Sequence, residues 1–352
     1  MLPRSRTTGW KSGRARIAPL ALIAFLALIA LTGCGAQNVP SPLLPASSNA
    51  KWISNLTLVI FGIAAVVFVV VEGLLIYSTV RFSRKTRDSA QQTEGNKRLE
   101  IAWTLAPAIV LAIVFVVSLQ TLRTVGYQPS SPVGATDDPS ALHVRVVGHQ
   151  WWWELDYPDL HIVTANEMHV PAGTVVDIDV ESVDVIHSYW VPQLGGKIDA
   201  IPGHINHTWF RTTQTGRYYG QCAEFCGVEH ANMRLNVIVE TPEQFQAWVE
   251  GQQAPVTVMS GDAATGEQVF MNGPCVGCHT IDGTKAQGKV GPNLTHFASR
   301  GVFAGATLDN TRANLSPWLA DPQKVKPGAL MPNLHLPQNQ IDELVAFLES
   351  LK

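Results

Sequence analysis

Soft metal ligands are concentrated in QCAEFCGVEHANM, residues 221–233, which holds Cys222, Cys226, His230 and Met233. Thiolate and thioether select copper over zinc, and imidazole suits copper as well. A mononuclear blue-copper site takes two histidines, one cysteine and a weak axial methionine. This stretch therefore has a cysteine too many and a histidine too few. His187, in DVIHSYWVP, follows an alternating segment and falls in the kind of loop that brings a histidine to such a site. Two histidines, two cysteines and a methionine suit two coppers bridged by both thiolates. Sharing one unpaired electron across two metals reduces rearrangement on electron transfer, so the chemistry is a one-electron relay. The competing reading of Cys222 and Cys226 is a disulfide, an option in an oxidising compartment, but it leaves His187, His230 and Met233 unexplained. His143, His149, His161, His169, His204 and His207 are expected at the surface or behind the ligands and are assigned no metal.

A second constellation, Cys275, Cys278 and His279 in GPCVGCHT, has the C-x-x-C-H spacing of covalent c-type haem attachment. The thiols bond the haem vinyl groups and the adjacent imidazole becomes the proximal iron ligand. A bare C-x-x-C could be a redox dithiol; the histidine that follows argues for haem. Beyond His279 the sequence has one methionine, Met331 in KPGALMPNLHLP, and methionine with histidine is the pairing that raises cytochrome c potentials. His296 and His335 are the competitors for the distal position.

These groups need elements to place them. Arg4, Arg6, Lys11, Arg14 and Arg16 precede an apolar run at 17–30 and then LTGC, residues 31–34. This pattern makes 1–33 a signal peptide, and LTGC resembles a bacterial lipobox, which implies acylation of Cys34. A spacer over 34–54 leads to apolar runs at 56–80 and 101–119. A bilayer core needs roughly 20 apolar residues, so a two-helix transmembrane hairpin is expected over 55–122. Arg81, Arg84, Lys85, Arg87, Lys97 and Arg98 lie between the runs. The positive-inside rule then puts that loop in the cytoplasm, and both chain ends with all the ligands on the extracytoplasmic side. Glu72 sits inside the first run, where a carboxyl must face protein, water or a partner; a structural role and a proton path both remain open. Glu100, in LEIAWTLAP, lies at the cytoplasmic edge of the second run.

Residues 125–140 are rich in Pro, Gly, Ser and Asp and form a linker. Beyond it, alternating segments, with Val176, Ile178 and Val180 set against Asp177, Asp179 and Glu181, predict an all-β sandwich or barrel, antiparallel, over 141–250, its loops at one end. A second linker, 251–262, precedes an all-α domain over 262–352. Its last helix has Ile341, Leu344, Val345, Leu348 and Leu351 on one face. The net charge of −3 offers no basic field of the kind nucleic acid requires.

In order, LEIAWTLAP, GHQWWWELDY, DVIHSYWVPQLGGKIDAIPG and QCAEFCGVEHANM resemble subunit II of the haem–copper cytochrome c oxidase family, over roughly residues 55–240. The related quinol-oxidase subunit lacks copper ligands, whereas they are present here. The resemblance implies a cupredoxin-like fold and a binuclear copper centre, CuA, held by His187, Cys222, Cys226, His230 and Met233, with the backbone carbonyl of Glu224. It further implies a magnesium ion reached by the Glu224 carboxylate at the junction with subunit I, electron uptake through Trp151, and a proton-path mouth at Glu100. The run Trp151 to Trp153 has a competing role as core aromatics. His204, in GHINH, stands where the family commonly has arginine, so contacts made there are not carried over. Residues 262–352 resemble a class I cytochrome c, a known fusion in terminal oxidases. The expected partners are subunit I, subunit III, the membrane and a periplasmic or membrane-bound electron donor. A different class remains open: a lipid-anchored copper or haem carrier, or a copper-delivery protein, working without an oxidase. Nitrous oxide reductase shares the copper module, but the sequence shows no further catalytic copper domain.

Overall fold

The computed structural model describes residues 40–82, 94–126, 140–256 and 260–352. The leader and Cys34 lie outside the described residues, as does most of the expected linker after the second helix.

Two long helices come first, α1 (Ser48–Phe82) and α2 (Lys97–Val125), both long and apolar enough to cross a membrane. Their apolar side chains point outwards all round: Phe68 is 65% exposed and Phe115 66%. Helices of this kind are solvated by lipid rather than by a protein core. Asn96 caps α2, its side chain accepting from the amides of Arg98 and Leu99. Helix α1 starts earlier than the hydropathy predicts, because the end of the expected spacer is packed rather than loose. Ser47 donates to the Leu194 carbonyl at 2.5 Å and accepts from the Ala50 amide at 3.0 Å. Asn49 donates to the Trp209 carbonyl at 2.8 Å. These bonds tie the first turn to the β domain and cap the helix together.

The β domain has two five-stranded sheets. The first contains β1 (Leu142–His149), β2 (Trp152–Tyr157), β3 (Ile162–Ala165), β5 (Val175–Ser182) and β8 (Asn206–Arg211), in the order β3-β2-β1-β5-β8. The second contains β4 (Glu167–Pro171), β6 (His187–Trp190), β7 (Ile198–Ala200), β9 (Gly216–Cys222) and β10 (Arg234–Glu240), in the order β4-β10-β9-β6-β7. Trp153, Leu155, Tyr157, Met168, Val176, Ile178, Val180 and Leu235 fill the space between them. Two departures from expectation stand out. The sandwich is mixed, with β1 parallel to β5 and β4 parallel to β10. Asp177, placed by alternation on the outer face, is 3% exposed, because β5 lies inside its sheet and His143, its register partner on β1, lies 3.4 Å from its carboxylate.

Helix α3 (Pro242–Gln253) follows, started by a capping box between Thr241 and Gln244; it takes up residues expected as linker. The C-terminal domain is built on α4 (Asp262–Asn272) crossing α7 (Gln338–Ser350). A Cβ on Gly266 would lie 2.0 Å from the Glu343 carbonyl oxygen, so this crossing needs glycine. Phe270 packs on Phe347 at 5.6 Å, and Ile341, Leu344, Val345, Leu348 and Leu351 are all buried, as their spacing predicts. Helices α5 (Arg312–Ala320) and α6 (Pro322–Val325) and the short pair β11 (Val302–Phe303) and β12 (Leu308–Asp309) close the remaining sides.

Candidate functional site

Strand β6 opens on His187 and strand β9 ends on Cys222, and the two strands pair antiparallel, Tyr189 opposite Cys222. The chain then loops through Glu224, Cys226 and a single helical turn, His230–Asn232, before Met233 leads into β10. The Cys222 amide donates to the Met233 carbonyl at 2.8 Å and the Ala223 amide to the Ser188 carbonyl at 2.9 Å, which close the base of this loop. Five soft side chains meet inside it. The two sulfurs are 3.8 Å apart, Cys222 Sγ is 4.0 Å from His187 Nδ1, and Cys226 Sγ lies 3.6 Å from His230 Nδ1 and 3.9 Å from Met233 Sδ. The Glu224 carbonyl oxygen is 3.2 Å from Cys222 Sγ, and its carboxylate side is exposed. A sulfur separation of 3.8 Å is far from the ~2.05 Å of a disulfide. It is short enough for one metal at the usual ~2.3 Å thiolate distance to touch both sulfurs. The donor set thus fits copper, on softness and on spacing.

The close approach of the two sulfurs holds one thiol, Cys222, well below its usual value and, with burial, pushes the other, Cys226, up. Burial opposes protonation of His187, and the Asp184 carboxylate and the Cys222 thiolate outweigh it, leaving the imidazole above its usual value. Asp184 holds His187 through Nε2 at 2.8 Å and so turns Nδ1 toward the sulfurs. Its Oδ2 also accepts from the Gln150 amide at 2.7 Å.

The haem-type motif lies on a short helical turn, Pro274–Gly277, after α4. Two adjoining lobes of about 170 Å³ and 140 Å³ share Cys278, His279 and Met331 in their walls, and Cys275 lines the second. Phe297, Phe303 and Trp318 make both lobes apolar, which suits a porphyrin. His279 Nδ1 bonds the Pro292 carbonyl at 2.8 Å, leaving Nε2 free to face the cavity. Burial keeps the imidazole below its usual value and so favours the neutral form that can bind iron, with the Pro292 bond opposing in part. Neither His296 nor His335 is in these walls; His296 bonds the Lys352 carbonyl at 2.9 Å and His335 is exposed.

Trp151, 8% exposed, joins the two sites. Its indole Nε1 donates to the Cys226 carbonyl at 3.0 Å, while the residue also lines the first lobe of the haem-type cavity. Trp151 and Trp153 both belong to the buried core of the sandwich, the competing role for this run, while Trp152 stacks on His149 and lines the first lobe. The remaining candidates lie elsewhere. Glu100 is exposed in the first turn of α2, Glu72 lines a groove between α1 and α2 beside Pro107, and His204 is exposed near the loop end of the sandwich. His149 is buried and stacked on Trp152 at 4.1 Å. Sequence reasoning missed Asp184, Gln150 and Lys326. Asp184 could have been found from its place three residues before His187 in DVIH; nothing in KVKPG marks Lys326.

Residues 38–121 match the family described as cytochrome c oxidase subunit II, transmembrane domain, residues 160–241 the periplasmic domain of the same subunit, and residues 263–352 the cytochrome c family. Cytochrome c oxidase subunit 2 of Alkalihalophilus pseudofirmus is 36% identical over 97% of this chain and 98% of that protein. The subunit of the same name from Bacillus subtilis is 34% identical over 94% and 97%. The crystal structure of the periplasmic domain of subunit II of cytochrome oxidase of Bradyrhizobium japonicum is 36% identical and covers 34% of this chain and 97% of its own, at a TM-score of 0.32. With the two apolar helices, the β-sandwich and the helical C-terminal domain in the same order, the chain belongs to the cytochrome c oxidase subunit 2 family, in the form that carries a C-terminal cytochrome c domain.

Proposed function

We propose that this chain is the electron-accepting subunit of an aerobic terminal oxidase, an oxidoreductase complex whose oxygen chemistry takes place in subunit I. It holds a covalently attached c-type haem through Cys275, Cys278, His279 and Met331. It holds a binuclear copper centre through His187, Cys222, Cys226, His230, Met233 and the Glu224 carbonyl. When bound, these groups supply two adjacent one-electron levels, over which electrons from an outside donor pass toward subunit I for the reduction of oxygen to water.

The chain's own residues set the conditions for this. Asp184 orients His187, the tight base of the ligand loop holds the thiols together, and the apolar walls around His279 and Met331 exclude water. Trp151 is the residue through which electrons leave the haem side. That reading rests on one observation: the residue lines the haem-type cavity while its Nε1 donates to the carbonyl of Cys226. The loop end also exposes Phe225 at 77% and Val228 at 75%, apolar surface suited to a protein partner. We assign this face to subunit I, with the exposed Glu224 carboxylate as a magnesium ligand at the junction. Glu100 marks the mouth of a proton path, subunit III is a further partner, and the copper and haem domains lie outside the cytoplasm, with Cys34 as a lipid anchor.

Visible and electron paramagnetic resonance spectra of the detergent-extracted complex test the reading. One covalent haem and a mixed-valence copper pair per chain, co-purifying with a many-helix haem subunit, are expected. A chain loaded with both metals but recovered alone would instead be a free-standing carrier.

A further inference from the structure

The contact between the cytochrome domain and the sandwich includes a buried lysine. Lys326, just after α6, is 6% exposed. Its Nζ donates to the Asn232 carbonyl at 2.8 Å, the Ala304 carbonyl at 3.0 Å and the Trp151 carbonyl at 3.1 Å. An ammonium has three N–H donors and no acceptor, so its capacity is filled. Two of the three acceptors belong to the sandwich. Asn232 lies between the ligands His230 and Met233, and Trp151 is the residue that touches both sites. Glu229, 5% exposed in the same ligand loop, adds a carboxylate that favours the ammonium and holds the Asn232 side chain at 2.8 Å. Burial draws the amine down to about 8. A buried charge is costly unless it is paired and hydrogen-bonded, and here both conditions are met only when the domains are together.

The surroundings leave little play. Gly305, at a φ of 73°, comes so close that a Cβ there would lie 2.7 Å from the carbonyl oxygens of both Asn232 and Trp151. The Gly305 carbonyl accepts from the Arg234 amide at 2.9 Å.

We propose that Lys326 is a positioning residue that latches the cytochrome domain onto the Trp151 turn and the copper-ligand loop, and so sets the gap the electron crosses inside this chain. The proposal rests on the electron-accepting reading for its consequence, but its geometry stands on the protein alone. One electron leaves ferrous haem iron and reduces the oxidised copper pair, with no proton and no bond changed. Only distance and coupling are in play, and those are what a latch controls.

The test uses the assembled oxidase. Lys326→Met keeps the length of the side chain and removes all three donors. Losing a charged donor weakens docking by about tenfold or more, so exchange of the Arg234 amide, measured by mass spectrometry, should rise by that factor. After light-driven reduction of the haem, its reoxidation by the copper pair should slow, while the haem and copper spectra and reduction by a small artificial reductant stay as in the wild type. Gly305→Ala attacks the same contact from the other side and should give the same pair of changes. In the double variant the effects should be less than additive, because one latch is broken once. A third measurement needs no variant: an amine-acylating reagent should label the exposed Lys324 and spare Lys326 in the full chain. Unchanged amide exchange in Lys326→Met, or labelling of Lys326 as fast as Lys324, overturns the latch. So does unchanged internal transfer in a variant whose amide exchange has risen. A wild-type complex without the copper signal sinks the electron-accepting reading instead, and leaves exchange and labelling to judge the latch.

Discussion

Cys222 and Cys226 stand 3.8 Å apart with an imidazole beside each and the Met233 thioether against Cys226. This is the part of the molecule most legible in the sequence, since soft donors at close spacing have few other uses. Cys222→Ser replaces a thiolate of the proposed copper pair with a hard, neutral hydroxyl. The mixed-valence copper signal should vanish and transfer to subunit I should stop, while the covalent haem spectrum persists; an intact copper signal in this variant refutes the binuclear assignment. Met331, chosen as the methionine left after the haem motif, lies in the wall of the cavity opposite two rivals that do not. Thioether ligation favours ferrous iron, so Met331→His should lower the haem potential by on the order of 100 mV or more. Each ~59 mV is tenfold in a one-electron equilibrium, and the haem becomes harder to reduce. Turnover with the natural donor should fall, whereas transfer from a pre-reduced haem should continue. A redox titration that finds the potential unmoved returns the distal position to His296 or His335. Lys326 was not legible, because it acts through carbonyls that the fold brings together from remote segments, and residue type alone does not name such partners; Asp184 was within reach of sequence reasoning, three residues before the His187 it holds.

At the scale of elements, hydropathy identified α1 and α2 and alternation identified β5, but neither reached the partner of an element. Asp177 reads as an outward residue from its own strand and is buried because β1 and β8 flank that strand on both sides. The parallel pairing of β1 with β5 joins segments far apart in sequence, and nothing local encodes it. Ser48 opens α1 because Ser47 can cap the helix and bond Leu194 at once, a gain that hydropathy does not see. The helix crossing of the cytochrome domain shows the same limit: Gly266 looks like a helix weakness in the sequence and is the point of closest approach in the fold. Gly266→Ala improves helix propensity by roughly 1 kcal/mol. Against this, its Cβ meets backbone at 2.0 Å, which no side-chain rotation relieves. Overpacking of this kind costs about 1–3 kcal/mol and can exceed that, so the net effect should be destabilising. A lower midpoint for the cytochrome domain in denaturant, followed by haem absorbance, is the expected result, and a raised midpoint contradicts the crossing.

Over the whole molecule, the sequence shows two domains beyond the membrane helices but gives no sign that they are fixed to each other. The fixing groups are spread along one face. The Gly301 amide donates to Glu167 Oε2 at 2.5 Å, Arg300 Nε donates to the Thr164 hydroxyl at 3.1 Å, and Gln252 reaches Ser299 at 2.9 Å. Glu167 is 2% exposed, and its other oxygen lies 3.4 Å from Arg217 of the same sandwich. In Glu167→Gln the shape is kept and the charge is lost, so a charge-assisted bond across the domain contact becomes a neutral one. Arg217 is 40% exposed and remains solvated, so the cost belongs mainly to the contact, about 1–2 kcal/mol. Two domains that unfold together do so because separating them exposes surface that only the pair buries; weakening the contact should therefore divide one cooperative transition into two. Calorimetry of the full chain, with haem absorbance recorded in parallel, should show the cytochrome domain melting earlier in Glu167→Gln while the copper domain keeps its own midpoint. A single transition that shifts as a unit would mean that the domains are coupled chiefly elsewhere, and the Lys326 contact would then carry the larger share.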